Sequence, residues 1–518
     1  MNQKKLIPPV IHAFALSCIL STIPLAAAGT VTVQGGAALA ESVNIGTRLE
    51  MFIDHYLIES LRGARLKLAE PRPAGAVIKY ENLWEAVPTG TATILQDGSL
   101  YRLYYTALPS DYKSEAAESN LCYAESKDGV TWIKPDLGLA AFRGSKQNNI
   151  LLPGNIEDRY TANFSPFLDN RPGVAAAERY KAVGGVWPKG LYVLVSPDGI
   201  HWRKWREAAV FSKGAFDSQN VIFWSEAEHC YVLYFRVFTG WTDYTAKSFQ
   251  VEGFRSISRT TSPDLINWSE PQRMSFGPTP LEHLYENRTH PYARAPHIYL
   301  AYPMRFVPGR AFLSAERLAE LKVLPSYLNI KGNTHNIPLE VSDTVLLTSR
   351  GGSRYDRTFM EAFVRPGLDE ANWVSRNGIA AIGTLQTSPT ELSIFIGQHY
   401  AQPSAYLGRF TLRLDGFASV NAPYAGGEML TKPIVVTGET LVLNCATSAQ
   451  GGVRVEVQTA EGEPWPGFTL MEADEFVGDS IATTVKWKSG ASLSSLLGKT
   501  VRLHFVMSDA DIYSLRFR

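Results

Sequence analysis

The chain has 518 residues, 45% of them apolar, with 24 Phe, 23 Tyr and 11 Trp, enough to fill a large packed interior and to exclude wholesale disorder. Lys and Arg together number 50, as do Asp and Glu, and that balance excludes a general nucleic-acid binder, whose domains are strongly basic. The length accommodates two to four domains, or one large β domain and a smaller companion.

At the start of the chain, Lys4 and Lys5 precede an apolar run from Leu6 to Leu25, and Ala26-Ala27-Ala28 follows. This is the order of an export signal, so residues 1–40 are read as signal peptide and leader and the protein as exported, periplasmic or secreted. No later run reaches the roughly 18 apolar residues that a membrane span needs. Beyond the leader only Cys122, Cys230 and Cys445 remain, an odd and sparse set read as small buried hydrophobes rather than a disulfide framework. His283, His290 and His297 are spaced like no usual zinc signature, and no phosphate-cradling glycine loop occurs, so neither metal nor cofactor is expected.

The run Glu50-Met51-Phe52-Ile53-Asp54-His55-Tyr56-Leu57-Ile58-Glu59-Ser60 is expected to supply a strand that closes the ring formed by the units that follow. A repeat then sets the architecture. Ser126-Lys127-Asp128-Gly129-Val130-Thr131-Trp132 returns as Ser196-Pro197-Asp198-Gly199-Ile200-His201-Trp202 and as Ser262-Pro263-Asp264-Leu265-Ile266-Asn267-Trp268. Weaker echoes are Ser349-Arg350-Gly351-Gly352-Ser353-Arg354-Tyr355 and Leu414-Asp415-Gly416-Phe417. Each copy reads as a strand, a tight Asp-Gly turn and an aromatic that pins the next strand. Strand-like runs such as Thr91–Leu95, Leu100–Tyr105, Val221–Trp224 and Cys230–Phe235 precede the copies, giving about four strands per repeat, the content of one propeller blade. The longest interval contains Ser314-Ala315-Glu316-Arg317-Leu318-Ala319-Glu320-Leu321-Lys322, predicted as a short helix capped by Ser314 within an insertion from Leu313 to Gly332. After Gly426-Gly427 the repeat gives way to alternating strands such as Val453–Val457 and Val501–Phe505, predicted as a β-sandwich. The reading is all-β: a five-bladed β-propeller over residues 41–426 followed by a C-terminal β-sandwich over 427–518.

With this layout the chain resembles the secreted bacterial glycoside hydrolase family 32-like proteins, relatives of the five-bladed furanosidase superfamily, from Met51-Phe52-Ile53-Asp54 to Asp509–Ser514. The resemblance implies a propeller fold and a carbohydrate substrate, with three acids at the starts of innermost strands. Matched to this sequence, those three positions carry Val87, Gln219 and Arg294 instead.

Glycosidic cleavage needs two carboxyl groups flanking the bond, one to protonate the leaving oxygen and one to act as nucleophile or base. Glu85 and Asp217 each lie two residues ahead of a replaced acid, and Glu361 sits in the apolar run Asp356–Gly367, where an unpaired carboxylate is costly. These three are the candidate catalytic residues. Trp84 beside Glu85 is the candidate stacking platform, and Arg294, His297, Asn220 and Asp54 are the candidate substrate-binding groups. The sequence thus reads as an exported glycosidase, against two rivals: a non-catalytic glycan-binding propeller, favoured by the three replaced acids, and a sialidase-like or uronate-directed enzyme using Arg294, Arg305 and Arg365.

Overall fold

A computed structural model describes residues 42–112, 119–154, 159–241, 244, 252–324 and 340–518. The leader expected over 1–40 and residues 325–332 of the insertion expected up to Gly332 lie outside the described residues.

The chain is all-β and lays down small antiparallel sheets in sequence order. The first comprises Val87–Asp97, Leu100–Leu108, Asn120–Ser126 and Ile150–Leu152, and the second Ser165–Leu168, Tyr180–Val186, Gly190–Ser196 and Arg203–Lys204. The third comprises Val221–Ser225, Cys230–Phe238, Arg255–Ser262 and Gln272–Arg273. The fourth is broken into two three-stranded halves: His290–Tyr292, Ala295–Ala301 and Leu347–Ser349 form one, and His283–Tyr285, Met304–Pro308 and Glu340–Thr344 the other. Tyr302-Pro303 causes the break, since proline has no N–H to give the ladder. In the fifth, Leu385–Ser388, Glu391–Gln398 and Tyr406–Arg413 take Arg72–Lys79 as a fourth strand. The early strand that completes one of these small sheets is therefore Arg72–Lys79, whereas the run at residues 50–60, expected to close the ring, pairs in the nine-stranded sheet described below.

Strands such as Gly190–Ser196, with the apolar run Leu191–Val195, are buried on both faces because each sheet is packed between two others. Tyr104 and Tyr123 of the first sheet share a core with Ala182 and Leu194 of the second, and Val193 of the second with Tyr234 of the third and Tyr299 of the fourth. Leu300 of the fourth packs with Ile394 and Phe410 of the fifth, and Phe395 of the fifth with Ala92 and Tyr105 of the first.

The repeated motif explains itself at atomic level. Ser126 Oγ accepts from the Gly129 N–H (2.9 Å), while Asp128 Oδ1 accepts from the N–H groups of Val130 (2.8 Å) and Thr131 (2.7 Å). Ser196 and Asp198 repeat this pattern on Gly199, Ile200 and His201, and Asp264 on Ile266 and Asn267. The residue after the Asp needs a left-handed conformation; it is Gly129 (φ 71°), Gly199 (φ 77°) and, without the benefit of glycine, Leu265 (φ 67°). The closing aromatic of each copy packs back onto the preceding sheet: Trp132 against Phe395 (6.1 Å between centroids), Trp202 against Tyr104 (6.1 Å) and Trp268 against Phe211 (5.8 Å). The two weak copies do the same through Tyr355 against Tyr234 (5.8 Å) and Phe417 against Tyr292 (5.4 Å).

The remaining sheet has nine strands hydrogen-bonded in one network through the long strand Thr500–Phe517, which pairs along its length with Leu441–Thr459. It draws on both ends of the chain. Glu50–Met51 pairs with Thr500–Phe517, Ile58–Arg62 with Gly427–Thr431, and Arg65–Leu68 with Ala418–Ala422. A boundary at residue 427 therefore does not divide this sheet from what precedes it. Ile45, Phe52 and Leu57 are buried with Val455, Leu503 and Phe517 in its core. The insertion begins with the helix Ala315–Glu320, whose N-cap Ser314 accepts from the Arg317 N–H (3.2 Å). Cys122 and Cys445 are buried thiols and Cys230 half-buried, all three free. Among the described residues no helix is long and apolar enough to cross a membrane.

Candidate functional site

The entries of the first strands of all five sheets converge on one cavity of about 400 Å³. Thr89 and Thr91 open the first sheet, Thr161 and Asn163 precede the second, Asp217 the third, Glu286 the fourth, and Arg376 and Ile379 the fifth. Trp187, Tyr285 and Tyr400 complete the wall. The repeated turns lie at the other end of the sheets, since Asp97 pairs with Leu100 and Tyr101 with Ser126, away from the Val87 entry.

Gln219 ties these entries together. Its buried amide donates to Thr93 Oγ1 of the first sheet (2.9 Å) and to the Phe164 carbonyl ahead of the second (2.8 Å), and its backbone N–H donates to Glu286 Oε2 ahead of the fourth (3.0 Å). Ile94 and Ile382 pair the first sheet with the fifth, the Ile94 N–H donating to the Ile382 carbonyl (2.8 Å). A neutral amide suits this position because it must donate to a carbonyl, which a carboxylate there would repel.

Two carboxylates reach the cavity wall. Asp217, with 47% of its side chain exposed, is ion-paired with buried Arg236; Glu286 is nearly enclosed and lies 3.1 Å from Arg288 Nη2. Arg288 in turn donates to the Gly90 carbonyl (2.8 Å). Burial pulls Arg236 down to about 10; Tyr285 opposes that shift, while Arg255 and Arg376 reinforce it. Burial likewise lowers Arg255 and Arg288, and raises Tyr285 to about 12 with help from the Glu286 charge. Near the same arginines, burial raises Glu340 to about 7 against the opposing charge of Arg255. Four non-glycine residues of the wall hold left-handed backbone, Arg159 (φ 50°), Asn163 (φ 55°), Glu286 (φ 61°) and Arg376 (φ 60°), as does Arg288 (φ 55°) behind it. Each costs on the order of 1–3 kcal/mol, strain of the kind that gathers at functional sites.

Of the sequence-predicted residues, only Asp217 lines this cavity. Glu85 is fully buried elsewhere, accepting from Asn82 Nδ2 (2.7 Å), the Tyr105 hydroxyl and Lys134 Nζ, so its charge is spent on structure. The ladder slips between Pro88 and Ala92, which presents Thr89 and Thr91 to the cavity instead. Trp84 beside Glu85 packs on Phe142 (6.1 Å) and donates to Asn149 Oδ1 (2.7 Å), whereas Trp187 is the tryptophan of the cavity. Glu361 is not in a strand; it is exposed and lines a separate groove with Arg305, Arg365 and Trp373. Asn220 is buried next to Gln219 and its amide donates to the Ser218 carbonyl (3.0 Å).

Arg294 and His297 fall at the far end of the fourth sheet. The strand entering from the cavity is His290–Tyr292, hidden in the sequence by Pro291, so the mouth residue is Glu286, and Arg294 lies beyond the hairpin. There Arg294 Nε donates to Asp415 Oδ1 (2.8 Å) and His297 Nε2 lies 3.0 Å from Glu50 Oε1. Asp54 accepts from Arg350 Nε (2.9 Å), and Arg350 also binds Glu50 (2.7 Å). Although burial raises it, Glu50 is brought to about 2 by His297 and Arg350. Arg305, bound by Asp343 (2.6 Å) and Glu282 (3.1 Å), shares the separate groove with Arg365, whereas Arg294 lies apart from both beside Asp415. Glu286 was visible in the sequence as part of Glu282–Asn287, but its placement depends on recognising the proline-bearing strand that follows it. Among the described residues no group of three His, Cys, Asp or Glu is arranged to hold a metal ion.

No family model and no curated protein matches the chain. Among solved structures it is similar to a glycoside hydrolase at 9% identity, covering 67% of this chain and 92% of that one with a TM-score of 0.42. It is also similar to a family 43 arabinoxylan arabinofuranohydrolase from Bacillus subtilis in complex with cellotetraose (12% identity, 85% and 98% coverage, TM-score 0.38). A third is an N-acetylgalactosamine deacetylase from F. plautii in complex with blood group B trisaccharide (13% identity, 68% and 96% coverage, TM-score 0.40). At these identities and overlaps the chemistry has to be judged from the cavity's own residues.

Proposed function

We propose that the protein is an exported glycoside hydrolase whose five sheets are the blades of one ring and whose substrate enters the cavity at their common mouth. The ring reading is supported by the closed succession of inter-sheet cores and by Gln219. The function rests on one observation: Asp217 and Glu286, from two successive sheets, line the same cavity. Two carboxyl groups facing one bond are what hydrolysis of a glycosidic link requires, one delivering a proton to the leaving oxygen and one acting as nucleophile or as base toward water. Trp187, Tyr285 and Tyr400 supply faces on which a sugar ring stacks. The direct test is release of reducing sugar from an oligosaccharide panel by the wild type, by Asp217→Asn and by Glu286→Gln. Release lost in both variants supports the pair, and full retention in either removes that residue.

A non-catalytic glycan-binding module is the second reading. It is favoured by a specific observation: each cavity carboxylate is already engaged by an arginine, Asp217 by Arg236 and Glu286 by Arg288. Saturable binding with no sugar released by the wild type on any panel member would establish it.

A further inference from the structure

The layer beneath the cavity is closed. Thr93, Phe164, Gln219 and Arg288 lie one or two residues along the chain from Thr91, Asn163, Asp217 and Glu286 of the wall, and none is more than 1% exposed. Groups at this level bond from sheet to sheet. Gln219 joins the entry of the third sheet to the first, the second and the fourth, and Arg288 joins the fourth to the first through the Gly90 carbonyl. His290 Nε2 of the fourth lies 3.1 Å from Thr384 Oγ1 ahead of the fifth, and the Ile382 N–H, also ahead of the fifth, donates to the Ala92 carbonyl of the first (2.9 Å). All five sheets are thereby bonded together at the floor, and facing groups one hydrogen bond apart, about 3 Å, leave no width for a sugar chain. The wall is equally tight where the fifth sheet meets the first: a Cβ on Gly90 would stand 2.7 Å from Ile379 Cδ1. Among the described residues the cavity therefore has a bottom, and its way in is the open side. A cleft that binds the middle of a chain needs an exit as well as an entry.

We infer that this cavity takes the terminal unit of a glycan chain, so that the protein acts at chain ends and does not cut within chains. The inference rests on the hydrolase reading for the cavity being a sugar site and adds which part of the sugar it receives. The cavity of about 400 Å³ holds about thirteen waters at ~30 Å³ each, the room taken by about one or two sugar rings and not by a longer stretch of chain. Glu286 stands on the floor itself, its Oε2 accepting from the Gln219 N–H, with 6% of its side chain exposed against 47% for Asp217. A bond reached by both carboxyl groups is therefore no more than about one unit from the end of the chain. Hydrolysis there breaks the glycosidic C–O bond, gives the hydroxyl of water to the anomeric carbon and a proton to the leaving oxygen, and frees one small sugar per event.

The test pairs binding with product analysis on the intact protein, using linear arabinan, galactan, mannan, xylan and glucan oligosaccharides of increasing length, each also made with a bulky ether on its non-reducing terminal unit or a bulky tag on its reducing one. On the series that binds in calorimetry, affinity should level off beyond about two units, and a block at one end should cost about tenfold while a block at the other costs nothing, which also tells which end enters. Thr89→Trp fills the cavity and should lower affinity about tenfold; if it melts early, Ser119→Trp fills it from another strand of the same sheet and reads the same loss. Sugar released from the polymer should be a monosaccharide or disaccharide from the first time point. Affinity that keeps rising with length, equal effects of the blocks at the two ends, a ladder of internal fragments, no linear chain bound, or unchanged binding in the filled variants overturns the inference. End-dependent binding without released sugar keeps this inference and sinks the hydrolase; release of internal fragments does the reverse.

Discussion

The two ends of the repeated sheets are built on opposite plans. At one end the same small device recurs, an Asp side chain closing a turn and an aromatic seated on the preceding sheet. At the other end the sheets present different sets: threonines at the first, threonine with asparagine at the second, then aspartate, glutamate, and arginine with isoleucine. The repeated end satisfies its backbone groups locally and holds neighbouring sheets together. The cavity end carries left-handed non-glycine residues and like charges, which lower stability. Repetition here marks what the fold needs, and variety marks what is done with it.

Breaking the cavity end should change activity most. Asp217→Asn and Glu286→Gln are each expected to lower kcat on a responsive glycan by about 10²–10⁴-fold, the range for a lost acid or base, with thermal unfolding little changed for half-exposed Asp217. Breaking the repeated end should do the opposite. Phe417→Ala empties a fully buried site against Tyr292 and should cost about 3–5 kcal/mol in denaturant unfolding, while turnover per folded molecule stays at the wild-type value.

Smaller effects sharpen the contrast through pH. Backbone N–H groups of Thr131 and Val130 bring Asp128 to about 2, and those of Asn267 and Ile266 do the same for Asp264. A carboxyl lowered by folding adds stability above its unfolded value of about 3.9, and that stability is lost as pH falls toward 2. Asp128→Asn with Asp264→Asn should therefore flatten the decline in Tm between about pH 4 and pH 2. At the cavity end the sign reverses. Glu340 is raised to about 7, so its contribution is complete below its unfolded value of about 4.3 and is lost as pH rises through 7. Glu340→Gln should remove that loss, giving a Tm that changes less than the wild type's between pH 5 and 8.

The repeated end was legible because its chemistry is local: Ser126, Asp128 and Gly129 satisfy one another within a few residues. The sequence copies therefore matched real turns, and the Ser314 cap of the inserted helix was readable for the same reason. The cavity was less legible because its partners come from far apart. Nothing near Glu85 announces that Tyr105 and Lys134 enclose it, and Pro291 disguised the strand that brings Glu286 to the mouth. Asp217 was identifiable since the strand after it, Val221–Ser225, is short, apolar and plain in pattern.

The pairing of Arg72–Lys79 with Tyr406–Arg413, and of Glu50–Met51 with Thr500–Phe517, stitches early segments to late ones. Contacts of such long sequence separation make assembly slow, because the entropy of closing the intervening loop must be met before the pairing returns anything. A nascent chain would hold Arg72–Lys79 and the early strands of the nine-stranded sheet unpaired until their late partners emerge, exposing strands able to pair with other molecules. Deleting Thr500–Phe517 would then leave Glu50–Met51 without a hydrogen-bonded neighbour and strip one ladder each from Ala418–Ala422, Gly427–Thr431 and Leu441–Thr459 in one stroke, and the expected product is aggregate rather than a shortened soluble protein.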